Sequence, residues 1–214
     1  MQGNIGPYAK FPEEEIPYIL SSILWVGAAL RKKSESEKEN PITIRLCKGL
    51  NRMERFRDGP LECHPQKGIP SPDPDDDRII GWIDISVSGV GGGSEVYFAM
   101  EAKRLRYRSP PGGAFKTGNS EYVGKDGMMR FVSGKYAPFM QAGAMLGYVF
   151  DGDTETARSG IGALIRKKAD MLKMESPEAL VPSEILPGKP IGATHHRGVN
   201  DKILILYHLF LSLR

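Results

Sequence analysis

The sequence lacks several features that would assign it to a particular class of protein. It has two cysteines among 214 residues, Cys47 and Cys63, which are too few for a disulfide framework. No secretory signal is recognisable either. We therefore expect a protein of the reducing cytoplasm.

Long hydrophobic runs are also missing. The most apolar run before the C-terminal segment, residues 16–30, is shorter than the about 20 apolar residues of a membrane span and contains Ser21 and Ser22. Acidic residues precede this run and basic residues follow it, an order that the macrodipole of a helix favours. We expect a buried helix with no membrane partner, and its apolar circumference would also suit a homodimer contact.

Two groups of potential ligands do not have the spacing of known metal sites. The acidic segment 73–77 lacks the glycine and the terminal glutamate of an EF-hand loop. The adjacent histidines of segment 195–197 lie far along the chain from both cysteines, so no zinc spacing is present. We expect a solvated loop at the first segment and an exposed polar corner at the second.

The sequence also has no large excess of charge of one sign. It has 29 basic and 26 acidic residues, which leave a net charge of +3. This mild excess permits a polyanionic partner without requiring one. The length allows one sizeable core. We therefore expect a single domain over residues 1–214, with an N-terminal helical extension over about residues 1–38.

Residues 81–104 contain the strongest local signal, which predicts a β-hairpin. Alternation places Asp84 on one face of the first strand, and Ile83 and Ile85 on the other. The glycines at 91–93 tolerate positive φ angles and favour a tight turn. Centring the turn on the last two glycines puts Asp84 opposite Glu101, with Lys103 one step further along the same face.

Two facing carboxylates repel each other, so this arrangement needs a compensating charge. A divalent cation supplies it, and Mg²⁺ suits one or two carboxylates together with phosphate oxygens and waters. Lys103 beside such a metal would orient or deprotonate a water, or stabilise charge in the transition state. The alternative is a solvated charged face on which Lys103 merely neutralises Glu101.

Asp84 followed by Glu101-Ala102-Lys103 on the next strand resembles the PD-(D/E)XK signature of restriction-endonuclease-like nucleases, although Ile83 stands where the motif has proline. The resemblance implies an α/β (α+β) fold with a restriction-endonuclease-like core, in which helices flank a central mixed β-sheet. It implies that Asp84 and Glu101 bind Mg²⁺, for which Mn²⁺ can substitute. Lys103 would then be the catalytic lysine.

The same resemblance implies an endonuclease that hydrolyses DNA phosphodiester bonds, with double-stranded DNA as substrate. Its biological setting would be prokaryotic restriction or anti-phage defence, as a homodimer or as a subunit of a larger defence complex. The alternative is a catalytically silent protein of the same fold that binds nucleic acid or a partner protein. The intact set of Asp84, Glu101 and Lys103 argues against that alternative.

Two helices are predicted to flank the active strands, near residues 42–53 and 128–146. The first follows Asn40, a good N-cap, and places Glu39 where members of this fold present a glutamate to the metal. A favourable charge at the helix N-terminus is the other explanation of Glu39. Gln141, on the second helix, is a further supporting candidate.

A set of basic residues follows or accompanies the predicted active strands and would contact phosphates. The segment after Lys103 is expected to head for solvent. Arg130 lies among apolar neighbours and therefore needs an anionic partner, either a protein carboxylate or a phosphate. The candidates for nucleic-acid binding are Arg104, Arg106, Arg108, Arg130 and Lys135.

Overall fold

The computed structural model describes residues 11–71, 73, 75–89, 96–110, 112–136 and 140–214. Over these residues the chain has a mixed α/β fold, with a central seven-stranded sheet and helices packed against both faces. The α-helices are α1 (Ile16–Ala29), α2 (Glu39–Leu50), α3 (Glu54–Arg57), α4 (Asn119–Val123), α5 (Met129–Val132) and α6 (Thr154–Lys167).

The seven strands occur in the order β1-β2-β3-β6-β9-β8-β7. Neighbours are antiparallel except for the pairs β3–β6 and β6–β9, which are parallel, so the sheet is mixed. Two short strands, β4 and β5, form a separate antiparallel pair. The strands are β1 (Leu61–Pro70), β2 (Ile79–Gly89), β3 (Tyr97–Leu105), β4 (Tyr107–Arg108), β5 (Phe115–Lys116), β6 (Ala142–Val149), β7 (Val181–Pro182), β8 (Ile191–Arg197) and β9 (Ile203–Ser212).

The core consists of two apolar clusters, one on each face of the sheet. Helices α1, α2 and α3 cover what we call the first face, where Phe98, Met100 and Ala102 of β3 are buried. Helices α4, α5 and α6 cover the second face, where Ala99 and Leu105 are buried. The alternation of β3 between the two clusters places the odd-numbered side chains of this strand on the second face.

The two N-terminal helices agree with the sequence in kind and position. α1 is buried along one side, as predicted for residues 16–30, and shares its cluster with α2 and the sheet. α2 begins at Glu39 with Lys38 as its N-cap, so the prediction of Asn40 as the cap is wrong. No helix in the described ranges is long and apolar enough to cross a membrane.

The predicted helix near 128–146 is wrong over most of its length. α5 ends at Val132, and β6 begins at Ala142, so Gln141 lies in a bend before a strand. Gly143 lets Phe131 pack against the backbone of this strand, since a Cβ atom on Gly143 would lie 2.6 Å from a Phe131 ring carbon. β6 is buried on both faces and accepts aromatic side chains directly against its backbone.

The C-terminal segment forms β9, a strand buried on both faces. The expectation of an exposed corner at 195–197 is wrong, because these residues end β8 and His196 is fully buried. Thr194 Oγ1 lies 2.7 Å from His196 Nε2 and 2.8 Å from His208 Nε2, and Tyr122 continues the chain of hydrogen bonds at His208 Nδ1. We call these four residues the buried histidine network.

Candidate metal and catalytic site

The predicted register between β2 and β3 is confirmed. Ile85 pairs with Met100, and Ser88 pairs with Tyr97. These pairs have the alignment that follows from a turn centred on Gly92 and Gly93, although the turn itself lies outside the described residues. The observed ladder ends one residue short of the predicted pairing of Asp84 with Glu101.

The ladder between these strands does not continue beyond Ile85 and Met100, although β2 remains paired with β1 as far as Ile79. At the same point the side chains of β2 stop alternating regularly between the two faces of the sheet. Ile83 belongs to the cluster on the second face, whereas Ile85 packs on the first, so the prediction that they share a face is wrong. β2 and β3 therefore separate at Asp84, and we call this opening the β2–β3 fork.

In the fork, where β3 is no longer paired with β2, two side-chain carboxylates accept hydrogen bonds from the backbone of β3. Asp84 Oδ2 accepts the Ala102 backbone N–H at 2.8 Å. Two residues further on, Glu39 Oε1 accepts the Arg104 backbone N–H at 3.3 Å and lies 3.5 Å from the Nε of that arginine. Buried N–H groups need partners, and these two side chains supply them. Glu39, at the N-terminus of α2, thus contacts β3.

Glu101 lies on the second face and is buried, with 1% of its surface exposed. Its Oε1 pairs with Lys103 Nζ. Its Oε2 accepts a hydrogen bond from the Tyr136 hydroxyl at 2.8 Å and lies 3.6 Å from Arg130 Nη1. The anionic partner of Arg130 is therefore a protein carboxylate, and the burial of Glu101 excludes a solvated charged face here.

The protonation of Glu101 is strongly perturbed. Burial and, to a smaller extent, the negative charge of Asp84 raise the pKa of its carboxyl from 4.5 to about 7, against the opposing effects of Lys103 and Arg130. The contribution of Asp84 is consistent with two carboxylates close together. A group with this pKa is half-ionised near neutral pH, so its charge responds to any cation that binds beside it.

The donor set is compatible with a magnesium ion. Asp84 is half-buried, and its Oδ1 accepts a hydrogen bond from the Gln66 side-chain amide at 3.4 Å. Mg²⁺ takes one or two carboxylates and keeps waters or phosphate oxygens as its other ligands. Where the structure describes the chain, no group of three or more His, Cys, Asp or Glu side chains is positioned to hold a metal. A two-carboxylate site made by Asp84 and Glu101 needs no such group.

The basic residues after Lys103 do not form an exposed patch. Arg104 is 8% exposed and stacks on Tyr107, so the expectation that this segment heads directly for solvent is wrong. Arg106 is paired with Asp151 and Asp153. The Arg104 guanidinium is buried on the first face, and the Arg106 guanidinium is paired with aspartates. Both groups therefore interact with other parts of the protein.

Three other basic candidates remain partly or fully accessible. Arg108 is exposed and donates to the Gly113 carbonyl at 3.1 Å, and Lys135 is exposed beside Gly81 of β2. Arg130 retains 21% exposure of its side chain while contacting Glu101. Arg130 and Lys135 both lie beside β2, where Arg130 Nη1 donates to the Trp82 carbonyl at 3.0 Å and Lys135 lies next to Gly81.

Sequence reasoning missed two residues of the site and misplaced one. Tyr136 and Gln66 contact Glu101 and Asp84, respectively, from parts of the chain that no local motif connects to the hairpin. Gln141 is located before β6, where its carbonyl accepts the Ile205 N–H at 2.8 Å. An unexplained arginine among apolar neighbours, Arg130, was the one signal in the sequence that pointed to this side of the site.

We compared the chain with protein-family models, with curated proteins and with solved structures, and none of the three comparisons found a match.

Proposed function

We propose that the protein is a metal-dependent nuclease with a restriction-endonuclease-like core that hydrolyses phosphodiester bonds in double-stranded DNA. The observation that carries the proposal is the fork itself. It gathers Asp84, Glu101 and Lys103 at the point where β2 and β3 separate, with Glu101 buried and its pKa raised to about 7. Perturbed ionisable groups gathered at one point are typical of catalytic sites.

The order of elements supports the same core. A helix, α2, is followed by three antiparallel strands, then by short helices and a strand parallel to the third. An αβ unit after the hairpin is what the nuclease fold requires, and this criterion is independent of the Glu-Ala-Lys triplet. α2 also brings Glu39 to the backbone of β3, at the residue after Lys103.

Each residue of the site has a distinct role in the proposed reaction. Asp84 and Glu101 would hold Mg²⁺, which supplies Lewis-acid stabilisation of the phosphate oxygens when bound. Lys103 lies beside Glu101 Oε1, where its ammonium group orients the attacking water or stabilises negative charge on the phosphoryl group. The hydroxyl of the water goes to phosphorus, the bond to one ester oxygen breaks, and that oxygen takes up the proton.

The test is cleavage of supercoiled plasmid, with linear DNA and RNA as further substrates, by wild type, Lys103→Ala and Asp84→Asn, each with Mg²⁺ or chelator. We expect metal-dependent nicking or linearisation by the wild type. Lys103→Ala should cut at least roughly 10²-fold more slowly, since it removes a positioned charged group. Asp84→Asn should lose both cleavage and the increase in melting temperature that Mg²⁺ produces.

The matched control is Lys116→Ala, which removes an exposed lysine of β5 and should cut as the wild type does. Metal-dependent cleavage that survives in Lys103→Ala at near-normal rates would remove this lysine from the mechanism. Wild-type protein that binds DNA but never cuts it under any metal condition would favour the catalytically silent alternative.

A further inference from the structure

The fork between β2 and β3 is bridged on the second face by two residues that the nuclease signature does not include. The Tyr136 hydroxyl contacts both the Trp82 carbonyl oxygen of β2 and Glu101 Oε2 of β3. Arg130 Nη1 donates to the same carbonyl at 3.0 Å and to the Tyr136 hydroxyl. These two side chains therefore connect the separated strands where backbone pairing has ended.

The bridge is rigid by its own contacts. The Tyr136 backbone N–H donates to the Arg130 carbonyl at 3.0 Å, so the two residues are joined through the main chain as well as through their side chains. The Tyr136 ring is 2% exposed and packs edge-on against Phe131, with ring centroids 5.3 Å apart. A buried hydroxyl on such a ring can move little relative to Glu101.

This fixed hydroxyl determines how Glu101 is presented. Oε2 is held by Tyr136 with Arg130 behind it, while Oε1 points to Lys103. Hydrogen bonds to a ligating carboxylate orient it, and removing such outer partners typically costs 10–100-fold in metal affinity. Because the carboxylate is already ordered, binding a cation does not have to immobilise it.

We propose that Tyr136, braced by Arg130, is the positioning residue of the metal site. It fixes the Glu101 carboxylate in the orientation that a divalent cation shares with Asp84. This inference rests on the proposed function, because it assigns a role toward the metal of that same site.

The test measures Mn²⁺ binding in the absence of nucleic acid, from the electron paramagnetic resonance signal of free Mn²⁺ during a titration. Tyr136→Phe keeps the buried ring and removes only the hydroxyl. We expect its dissociation constant for Mn²⁺ to rise by about 10-fold or more. The control, Tyr122→Phe, removes an equally buried hydroxyl from the buried histidine network and should bind Mn²⁺ as the wild type does.

A second variant, Arg130→Lys, conserves the charge near Glu101 but cannot hold two oxygens with one planar group. We expect it to weaken Mn²⁺ binding as well, so the inference stays testable should Tyr136→Phe fail to fold. Melting without metal identifies folded variants and measures any purely structural cost. Wild-type affinity in both variants, with at most a lower melting temperature, would overturn the positioning role alone. A wild type that binds no Mn²⁺ would overturn the proposed metal site together with this role.

Discussion

The raised pKa of Glu101 makes the stability of the metal-free protein depend on pH in an unusual direction. In the unfolded chain the carboxyl titrates near its ordinary value of 4.5, whereas in the folded protein it titrates at about 7. Between these values the folded state binds more protons than the unfolded state does. The free energy of unfolding should therefore fall as the pH rises through this window.

The size of this change in the free energy of unfolding follows from the difference between the folded and unfolded pKa values of Glu101. At 1.36 kcal/mol per pH unit, burying the ionised carboxylate costs the metal-free protein about 3 kcal/mol once the pH exceeds 7. Glu101→Gln removes this cost because an amide does not ionise, and its oxygen still accepts from Lys103 or Tyr136. The stability of the variant should thus exceed that of the wild type increasingly from about pH 5 to about pH 8.

The assay is urea unfolding in chelator at several pH values across that window, for wild type and Glu101→Gln. His196 and His208 have pKa values lowered to about 4 and about 3 by burial, so they make stability increase with pH. Their contribution is the same in both proteins and cancels in the difference. Glu178→Gln, at an exposed glutamate, should follow the wild type. Parallel pH profiles for wild type and Glu101→Gln would refute the reasoning.

Two further predictions concern the core. Thr194→Val should lower the free energy of unfolding, measured by urea denaturation, by about 1–3 kcal/mol. The substitution leaves both histidines of the buried histidine network without the hydroxyl between them. An unchanged stability would mean that the network contributes nothing. Gly143→Ala should destabilise by about 1–3 kcal/mol because its Cβ would lie 2.6 Å from a Phe131 ring carbon. The matched comparison is Gly162→Ala in α6, where the added Cβ atom would lie 3.8 Å from the nearest atom. This substitution should be neutral or stabilising by up to about 1 kcal/mol. Equal effects of the two substitutions would contradict the close packing of Phe131 on Gly143.

The hairpin could be predicted because its determinants are local. Alternating apolar residues and the glycines at 91–93 predict both strands and their register without reference to the rest of the chain, and the observed pairs have that register. The prediction that Asp84 faces Glu101 extends that register by one residue beyond the observed pairs, and Lys103 follows from the period of a strand. A short stretch of sequence was therefore enough to propose Asp84, Glu101 and Lys103 as a site.

Residues 142–146 of β6 were misassigned because their apolar side chains fit either a buried strand or a buried helix. What decides between them is the partner that each face meets. Gly143 admits Phe131, and Gly147 admits Leu105, since a Cβ atom there would lie 2.6 Å from the neighbouring side chain in both cases. Contacts of this kind join distant parts of the chain and have no local signature.

The end of the β2–β3 ladder explains both what alternation missed and how the site forms. A regular strand keeps its side chains on alternating faces, but β2 leaves β3 after Ile85, its ladder with β1 skips the pair Gln66–Asp84, and Ile83 packs on the second face. The same departure frees the Ala102 N–H, which Asp84 then accepts, and opens the space that Tyr136 bridges to Glu101. A continuous ladder would have paired that N–H with backbone, and Asp84 would have had no reason to point at β3. The gathering of the two carboxylates is therefore a consequence of the broken ladder.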